Sequence, residues 1–203
     1  MKQYIFTIIC LMSAAFLSAC NDDKEAKPYI PDYEIVPQYT DADTWIAYEA
    51  FNQYLLDNNK YIYKASTANE AAVDRNNGAA AIWCQPIYWD MAINAYKRAK
   101  AESNTEREQK YKTLADRLFA GNKAHYANFD FDDNNTNTGW FIYDDIMWWT
   151  ISLARAYEEF GVGEYLDLSE KSFGRVWYGS EKVGDTGSYA DPEKGLGGGM
   201  FWQ

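Results

Sequence analysis

Histidine and cysteine are scarce in this 203-residue chain, which contains one His and three Cys. A single histidine, His125, excludes a multi-histidine zinc site and disfavours a histidine-based catalytic triad, so we interpret it as a loop residue. Cys10 and Cys20 both lie near the N-terminus, which leaves Cys84 without a partner for a disulfide or a cysteine metal site. We therefore predict that the protein uses no metal and no cofactor.

Basic residues are also few, because 19 Lys and Arg stand against 30 Asp and Glu for a formal net charge of −11. Phosphate binding depends on clustered positive charge, so the composition argues against nucleic acid as a partner. Apolar residues are plentiful, since 47% of the chain is hydrophobic and 17% is aromatic, which excludes wholesale disorder. Such an aromatic content is compatible with a carbohydrate site and equally with a packed helical core.

The N-terminus has the pattern of an export signal. Lys2 precedes an apolar run, residues 4–17, that is too short to span a membrane and is followed by small residues. The run ends in Leu17-Ser18-Ala19-Cys20, which resembles the bacterial lipobox, in which the cysteine is lipidated and becomes the new N-terminus. We predict a signal peptide over 1–19 and a lipid anchor on Cys20; the alternative is a plain signal peptide with an incidental cysteine.

The segment after Cys20 predicts a spacer between the lipid and the folded domain. Asn21-Asp22-Asp23-Lys24-Glu25 resembles the acidic export tag of surface lipoproteins in Bacteroides-type bacteria, although a charged tether has a similar composition. Three of the five prolines stiffen residues 20–39 into an extended linker. We expect an outer membrane lipoprotein, exposed at the cell surface and attached to the membrane through its lipid.

Helical periodicity dominates residues 40–203, and almost no strands are expected. We predict helices from Thr40 or Asp41 to Asp57, over 87–101, from Thr105 to Gly121, over 143–160 and over 164–177, followed by a Gly-rich loop. Thr105 and Glu108 fit a capping box. In the last helix, we expect Leu166, Ser169, Phe173 and Val176 to form the apolar face. Five helices joined by loops predict an all-α fold of antiparallel hairpins.

Two adjacent carboxylates, Asp144 and Asp145, open the helix predicted over 143–160. Acidic residues in a first turn commonly complement the helix dipole and cap the helix, which is the structural interpretation of the pair. Trp148 and Trp149 lie about one turn further on, so all four side chains can share one wall. This aromatic surrounding favours a functional interpretation.

The chain resembles the endo-α-1,6-mannanases of glycoside hydrolase family 76. The resemblance is carried by Tyr143-Asp144-Asp145-Ile146-Met147-Trp148-Trp149, Ala154-Arg155-Ala156-Tyr157-Glu158, Glu164-Tyr165-Leu166 and Gly198-Gly199-Met200-Phe201-Trp202. It implies a six-hairpin α/α toroid, an (α/α)6 barrel, and a retaining mechanism on α-mannan, with Asp144 as nucleophile and Asp145 as general acid/base. Twelve helices need roughly 330 residues, so we expect residues 40–203 to be the N-terminal part of such a toroid. We predict that the substrate is contacted by Tyr143, Trp148, Trp149 and Trp202.

The chemistry of a retaining glycosidase agrees with adjacent carboxylates. Its two carboxyl groups stand about 5 to 5.5 Å apart, a separation that neighbouring helical side chains can reach. The two roles need different pKa values, and the residues alone leave open which aspartate has which environment. Two alternatives also stay open: a truncated or non-catalytic surface glycan-binding lipoprotein, and another α/α-toroid enzyme such as a glucuronyl hydrolase, against which the second aspartate argues.

Overall fold

A computed structural model describes residues 38–187, which form five α-helices and one short hairpin. The helices are α1 (Asp41–Leu55), α2 (Gln85–Ala101), α3 (Thr105–His125), α4 (Tyr143–Phe160) and α5 (Gly163–Tyr178). Strands β1 (Leu56–Asp57) and β2 (Ile62–Tyr63) pair antiparallel. Single 3-10 turns occupy Gly78–Ala80 and Ala127–Phe129. This part of the chain is therefore all-α, as predicted, and none of its helices is both long and apolar enough to cross a membrane.

The helices pack as two hairpins, α2 with α3 and α4 with α5, and α2 also packs against α4. Short loops join the members of each pair, which makes them antiparallel. Gly161 ends α4 with a φ of +66°, a left-handed conformation that glycine adopts without steric cost. The boundaries of α4 agree with the prediction from sequence.

The start of α3 differs from the predicted capping box by one residue. Asn104 is the N-cap, and its side-chain oxygen accepts a hydrogen bond from the backbone N–H of Arg107 at 3.0 Å. Thr105 is the first helical residue, so its hydroxyl does not have the capping position. An asparagine oxygen serves as well as a hydroxyl for this purpose, and Asn104 reaches the third helical N–H.

Gly121 does not end α3, which corrects the boundary expected from sequence. The helix continues to His125. A Cβ atom on Gly121 would lie 2.4 Å from the carbonyl oxygens of Lys60 and Tyr61, so the glycine allows the β1–β2 turn to approach the helix closely. His125 is therefore a helical residue and not a loop residue, and partial burial lowers the pKa of its imidazole.

The core is built from large aromatic side chains. Trp89, Trp140 and Trp149 are at most 1% exposed. Two of their indole N–H groups donate to backbone carbonyls at 2.9 Å, Trp89 to Ala115 and Trp149 to Ile82. These bonds satisfy buried donors and also fix neighbouring segments relative to the helices.

The buried face of α5 is rotated from the one expected. Val176 and Ser169 are buried as predicted, but Phe173 is 43% exposed. Ser169 and Ser172 face α4, where the Ser172 hydroxyl lies 2.7 Å from that of Thr150 and the Ser169 hydroxyl donates to the Thr150 carbonyl at 2.9 Å. Small hydrogen-bonded side chains allow the two helices to pack together, so Ser172 is buried at a position that was not expected on the apolar face.

Candidate active site

Asp144 and Asp145 lie in the first turn of α4 and have different environments. The helix begins at Tyr143, after Ile142 in an extended conformation. Asp144 is exposed to solvent, whereas Asp145 is partly buried. Adjacent positions on a helix point about 100° apart, so one side chain turns outward while the next turns toward the protein.

The Asp145 carboxyl holds a proton far more tightly than an ordinary aspartate. Burial and, to a lesser extent, the negative charge of Asp144 raise its pKa to about 7, against a weaker opposing effect of the positive charge of Arg75. Among residues 38–187, no donor forms a hydrogen bond to this carboxyl that would stabilise its ionised form. Asp145 can therefore exist in both protonation states near neutral pH, which is what a general acid/base requires.

Asp145 lines an open pocket with a volume of about 470 Å³. An indole and a guanidinium share the pocket with it: Trp83, which is 39% exposed, and Arg75. The remaining lining residues are Asn76, Gly78, Ala81 and Ile142. A carboxylic acid, a flat aromatic surface and a cation are the kinds of group that bind and protonate a sugar.

Trp83 and Arg75 are not among the residues predicted from sequence. Both lie in the segment between β2 and α2, which has no helical or strand period. A tryptophan in such a segment is the only signal that the sequence contains for this part of the pocket.

Trp149 lies in the core, away from any surface on which a sugar could stack. It is 0% exposed, and its ring packs against those of Phe129 and Trp140 at centroid distances of 4.8 and 6.4 Å. Its hydrogen bond to the Ile82 carbonyl connects α4 to the segment that carries Trp83. Trp149 thus positions the pocket wall, while Trp148, at 42% exposure, is accessible to a ligand.

Tyr143 is also buried, at 2% exposure. Its hydroxyl accepts a hydrogen bond from the backbone N–H of Gly187 at 3.0 Å, which attaches the loop after α5 to the start of α4. The Arg175 guanidinium lies 5.7 Å from the Tyr143 ring centroid. The hydroxyl and the ring of Tyr143 therefore both have structural contacts, with Gly187 and Arg175 respectively. The other predicted positions, Cys20 and Trp202, lie outside the described residues.

Arg175 fixes the loops around the start of α4, a role that the sequence pattern does not indicate. Its side chain is 2% exposed and donates to the carbonyls of Phe131 and Trp140 at 3.0 and 3.1 Å. It also forms a bidentate pair with Asp185 at 2.9 and 2.5 Å. Because every one of these partners lies in a loop, the arginine orders the loops that precede α4 and follow α5.

Within residues 38–187, no group of three or more His, Cys, Asp or Glu side chains is arranged to hold a metal ion. Cys84 is buried next to the pocket, and burial raises the pKa of its thiol. Its Sγ lies 3.6 Å from the Gly78 carbonyl oxygen. A protonated, buried thiol of this kind is a packing residue and not a nucleophile.

No model of a known protein family and no curated protein matches this chain.

Proposed function

We propose that this protein is a retaining glycoside hydrolase that cleaves α-1,6-mannosidic bonds within mannan backbones. The proposal rests on the resemblance of residues 143–149, 154–158, 164–166 and 198–202 to glycoside hydrolase family 76. The observation that carries it is the pKa of Asp145, about 7, beside a second, exposed carboxylate and in a pocket with an exposed indole.

The environments of the two aspartates support a division of roles. A general acid must be protonated at the working pH, which favours Asp145 because its pKa is raised. The nucleophile must be open to the substrate, which favours the exposed Asp144. The resemblance to family 76 implies the same two roles, and it rests on sequence motifs and not on the environments of the aspartates.

The reaction follows in two displacement steps. Asp145 donates its proton to the glycosidic oxygen while an Asp144 oxygen attacks the anomeric carbon, so the leaving sugar departs with a hydroxyl and a glycosyl ester forms on Asp144. Asp145, now ionised, then removes a proton from a water molecule that attacks the same carbon. The ester bond to Asp144 breaks, the product retains its configuration, and Asp145 is protonated again.

The resemblance to family 76 also implies an (α/α)6 toroid, and the acidic segment Asn21-Asp22-Asp23-Lys24-Glu25 favours exposure at the cell surface. The two antiparallel hairpins, α2 with α3 and α4 with α5, are the part of the fold that supports a toroid. The lipobox-like Leu17-Ser18-Ala19-Cys20 supports attachment to the outer membrane through a lipid.

The proposal is tested by hydrolysis of α-1,6-mannan with single variants of the pair. Asp145→Ala should lower kcat/KM by about 10²- to 10⁴-fold on mannan and much less on a substrate whose leaving group needs no proton. Azide should restore turnover of that activated substrate and yield the α-mannosyl azide. Asp144→Ala should abolish turnover of both substrates, and azide should not restore it as an α-product.

The control is Asp167→Ala, an exposed aspartate on α5, which should leave activity unchanged. In the wild type, kcat/KM should fall as pH rises through about 7, because Asp145 then loses the proton that it donates. Full activity of the Asp144→Ala, Asp145→Ala double variant would mean that the pair only complements the dipole of α4.

A second candidate function is glycan binding without turnover. The exposure of Trp83 and Trp148, 39% and 42%, favours it because stacking surfaces serve binding whether or not the carboxylates react. Binding of α-1,6-mannooligosaccharides that is unaffected in both aspartate variants, together with no released product, would identify this function.

A further inference from the structure

Arg75 is held in one orientation beside the Asp145 pocket. Its backbone N–H donates to the Asn137 carbonyl at 2.7 Å, and its own carbonyl accepts from Ile82 at 3.1 Å. Its Nε donates to the Thr136 carbonyl at 2.9 Å, and its guanidinium carbon lies 4.8 Å from the centroid of the Phe141 ring. The side chain is thus ordered before any ligand binds.

The outer nitrogens of this guanidinium remain available. Within the Arg75 side chain, only Nε forms a hydrogen bond to the described residues, so the two Nη atoms keep their donors. No ion pair of the described residues includes Arg75, although four of the other arginines there, Arg98, Arg107, Arg155 and Arg175, pair with carboxylates. Among the six arginines of residues 38–187, Arg75 and Arg117 lack such a partner, and Arg75 is the one that lines the pocket with Asp145.

A planar guanidinium with two free nitrogens matches the geometry of a carboxylate or a phosphate. Trp83, in the same pocket, offers an exposed indole face for the apolar side of a sugar ring. An acidic protein repels anions at long range, so recognition of an anion here depends on a fixed local cation. Asp145 lines the same pocket, so the anion would be next to the proposed acid.

We infer that this pocket is a subsite for a sugar that carries a negative charge, as a phosphate or a carboxylate, with Arg75 binding the charge and Trp83 stacking on the ring. The inference rests on the proposed function for the identity of the site, and it adds the chemical class of glycan that the site selects. An anion beside Asp145 would also favour the protonated carboxylic acid, which is the form that begins the reaction.

The inference is tested by measuring binding, without hydrolysis, to the 203-residue chain. Affinities for mannose, mannose 6-phosphate and glucuronic acid are measured by NMR titration. The wild type should bind at least one of the charged sugars about ten- to a hundredfold more tightly than mannose, which is the gain expected from hydrogen bonds to a charged group. Whichever charged sugar binds identifies phosphate or carboxylate as the source of the anion.

Variants separate the two halves of the subsite. Arg75→Gln should abolish the preference for charged sugars, and Arg75→Lys should retain only part of it because the planar fork is lost. Trp83→Ala should weaken binding of charged and neutral sugars by the same factor. Arg117→Gln is the matched control: this arginine also lacks a carboxylate partner among residues 38–187, but it lies on α3, contacts Tyr61 of the β1–β2 turn and should leave the preference unchanged.

Equal affinities for the charged and neutral sugars in the wild type would overturn the inference, as would a preference that survives in Arg75→Gln. If Arg75 only adjusts the ionisation of Asp145, Arg75→Gln will move the pH profile of hydrolysis and change binding of all three sugars by the same factor, so that the wild-type preference remains, which also overturns the inference. Loss of hydrolysis with the preference intact would count against the proposed function alone.

Discussion

Asp57 and Asp145 are both withdrawn from solvent, yet the protein treats their charges in opposite ways. Burial acts against ionisation in each case. Asp57 is only 4% exposed, but its carboxylate accepts backbone N–H groups from Asn59, Lys60 and Ala71 at 2.9, 3.1 and 2.8 Å. These bonds outweigh burial and hold its pKa below the usual range.

Asp145 has no such donors among the described residues, and the negative charge of its neighbour Asp144 further disfavours ionisation. Its pKa is therefore raised to about 7. The difference shows that depth of burial alone does not decide whether a carboxyl is structural or reactive. The number of donors directed at it decides, because they determine which protonation state the fold stabilises.

The largest effect should come from removing the structural carboxylate. Asp57→Ala leaves three backbone donors without their acceptor and should lower the free energy of unfolding by about 4 kcal/mol at pH 7. The pKa of Asp57 is lowered in the folded state, so its contribution is present above the pKa of the unfolded chain and is lost as pH falls through the folded pKa. The difference between wild type and variant should therefore shrink in acid.

Urea unfolding at several pH values measures this effect. Asp116→Ala removes an exposed aspartate whose one ion pair among residues 38–187 is with Lys112 on the same helix, so it should change stability by less than about 0.5 kcal/mol. An equal loss of unfolding free energy in Asp57→Ala and Asp116→Ala would mean that the three backbone donors around Asp57 do not stabilise the fold more than an exposed ion pair does.

A second experiment disturbs the donors of Asp57 and leaves the carboxylate in place. Gly121→Ala puts a methyl group 2.4 Å from the Lys60 and Tyr61 carbonyl oxygens, so the turn that directs N–H groups at Asp57 must move. We expect a loss of about 3 kcal/mol. Gly174→Ala, in α5 with open space around its Cβ, should instead stabilise the helix by about 0.5 to 1 kcal/mol.

The two glycine variants should separate in thermal unfolding, with Gly121→Ala melting below the wild type and Gly174→Ala slightly above it. If Gly121→Ala melted like Gly174→Ala, the close approach of the β1–β2 turn to α3 would not exist in solution.

Apart from the control variants, the smallest effect is expected at Asp145, and it has the opposite sign to those of Asp57→Ala and Gly121→Ala. Its pKa in the folded chain, about 7, lies above the value of about 3.9 for an unfolded aspartate. Between these two pH values, the folded state therefore binds more protons than the unfolded state. Wild-type stability therefore falls as pH rises from 4 to 7. Asp145→Asn is neutral at every pH and should be more stable than the wild type by about 2 kcal/mol at pH 8, a figure that allows for partial solvent exposure.

The same comparison at pH 4 should show almost no difference, since the wild-type carboxyl is then protonated. If Asp145→Asn is less stable than the wild type at pH 8, other groups in the folded protein must stabilise the ionised form of Asp145.

The helices follow from local features of the chain. α4 has both its boundaries where the sequence predicts them, because acidic residues in its first turn and Gly161 after its last turn act within a few residues of the helix. Gly121 misled the prediction of α3 for the opposite reason. Its role depends on a turn some sixty residues earlier in the chain, which a local pattern does not contain.

The candidate site likewise has one part that local sequence predicts and another that depends on contacts distant in sequence. The aspartate pair and its aromatic neighbours are visible in the sequence, since all lie within two turns of one helix. Which tryptophan faces a ligand is not visible, because the direction of Trp149 is set by the Ile82 carbonyl and by the rings of Phe129 and Trp140. Trp83 and Arg75 come from a segment without periodicity, so only its position against α4 makes them part of a pocket.

The sequence by itself determined that residues 38–187 are all-α, where α4 begins and ends, and that two carboxylates stand together at its start. These properties depend on neighbours within a few residues, where capping, dipole and periodicity operate. Only the tertiary structure decided that Asp145 keeps its proton near neutral pH while Asp57 does not. A carboxyl's pKa depends on desolvation and on donors that arrive from other parts of the chain, and the fold alone brings those together.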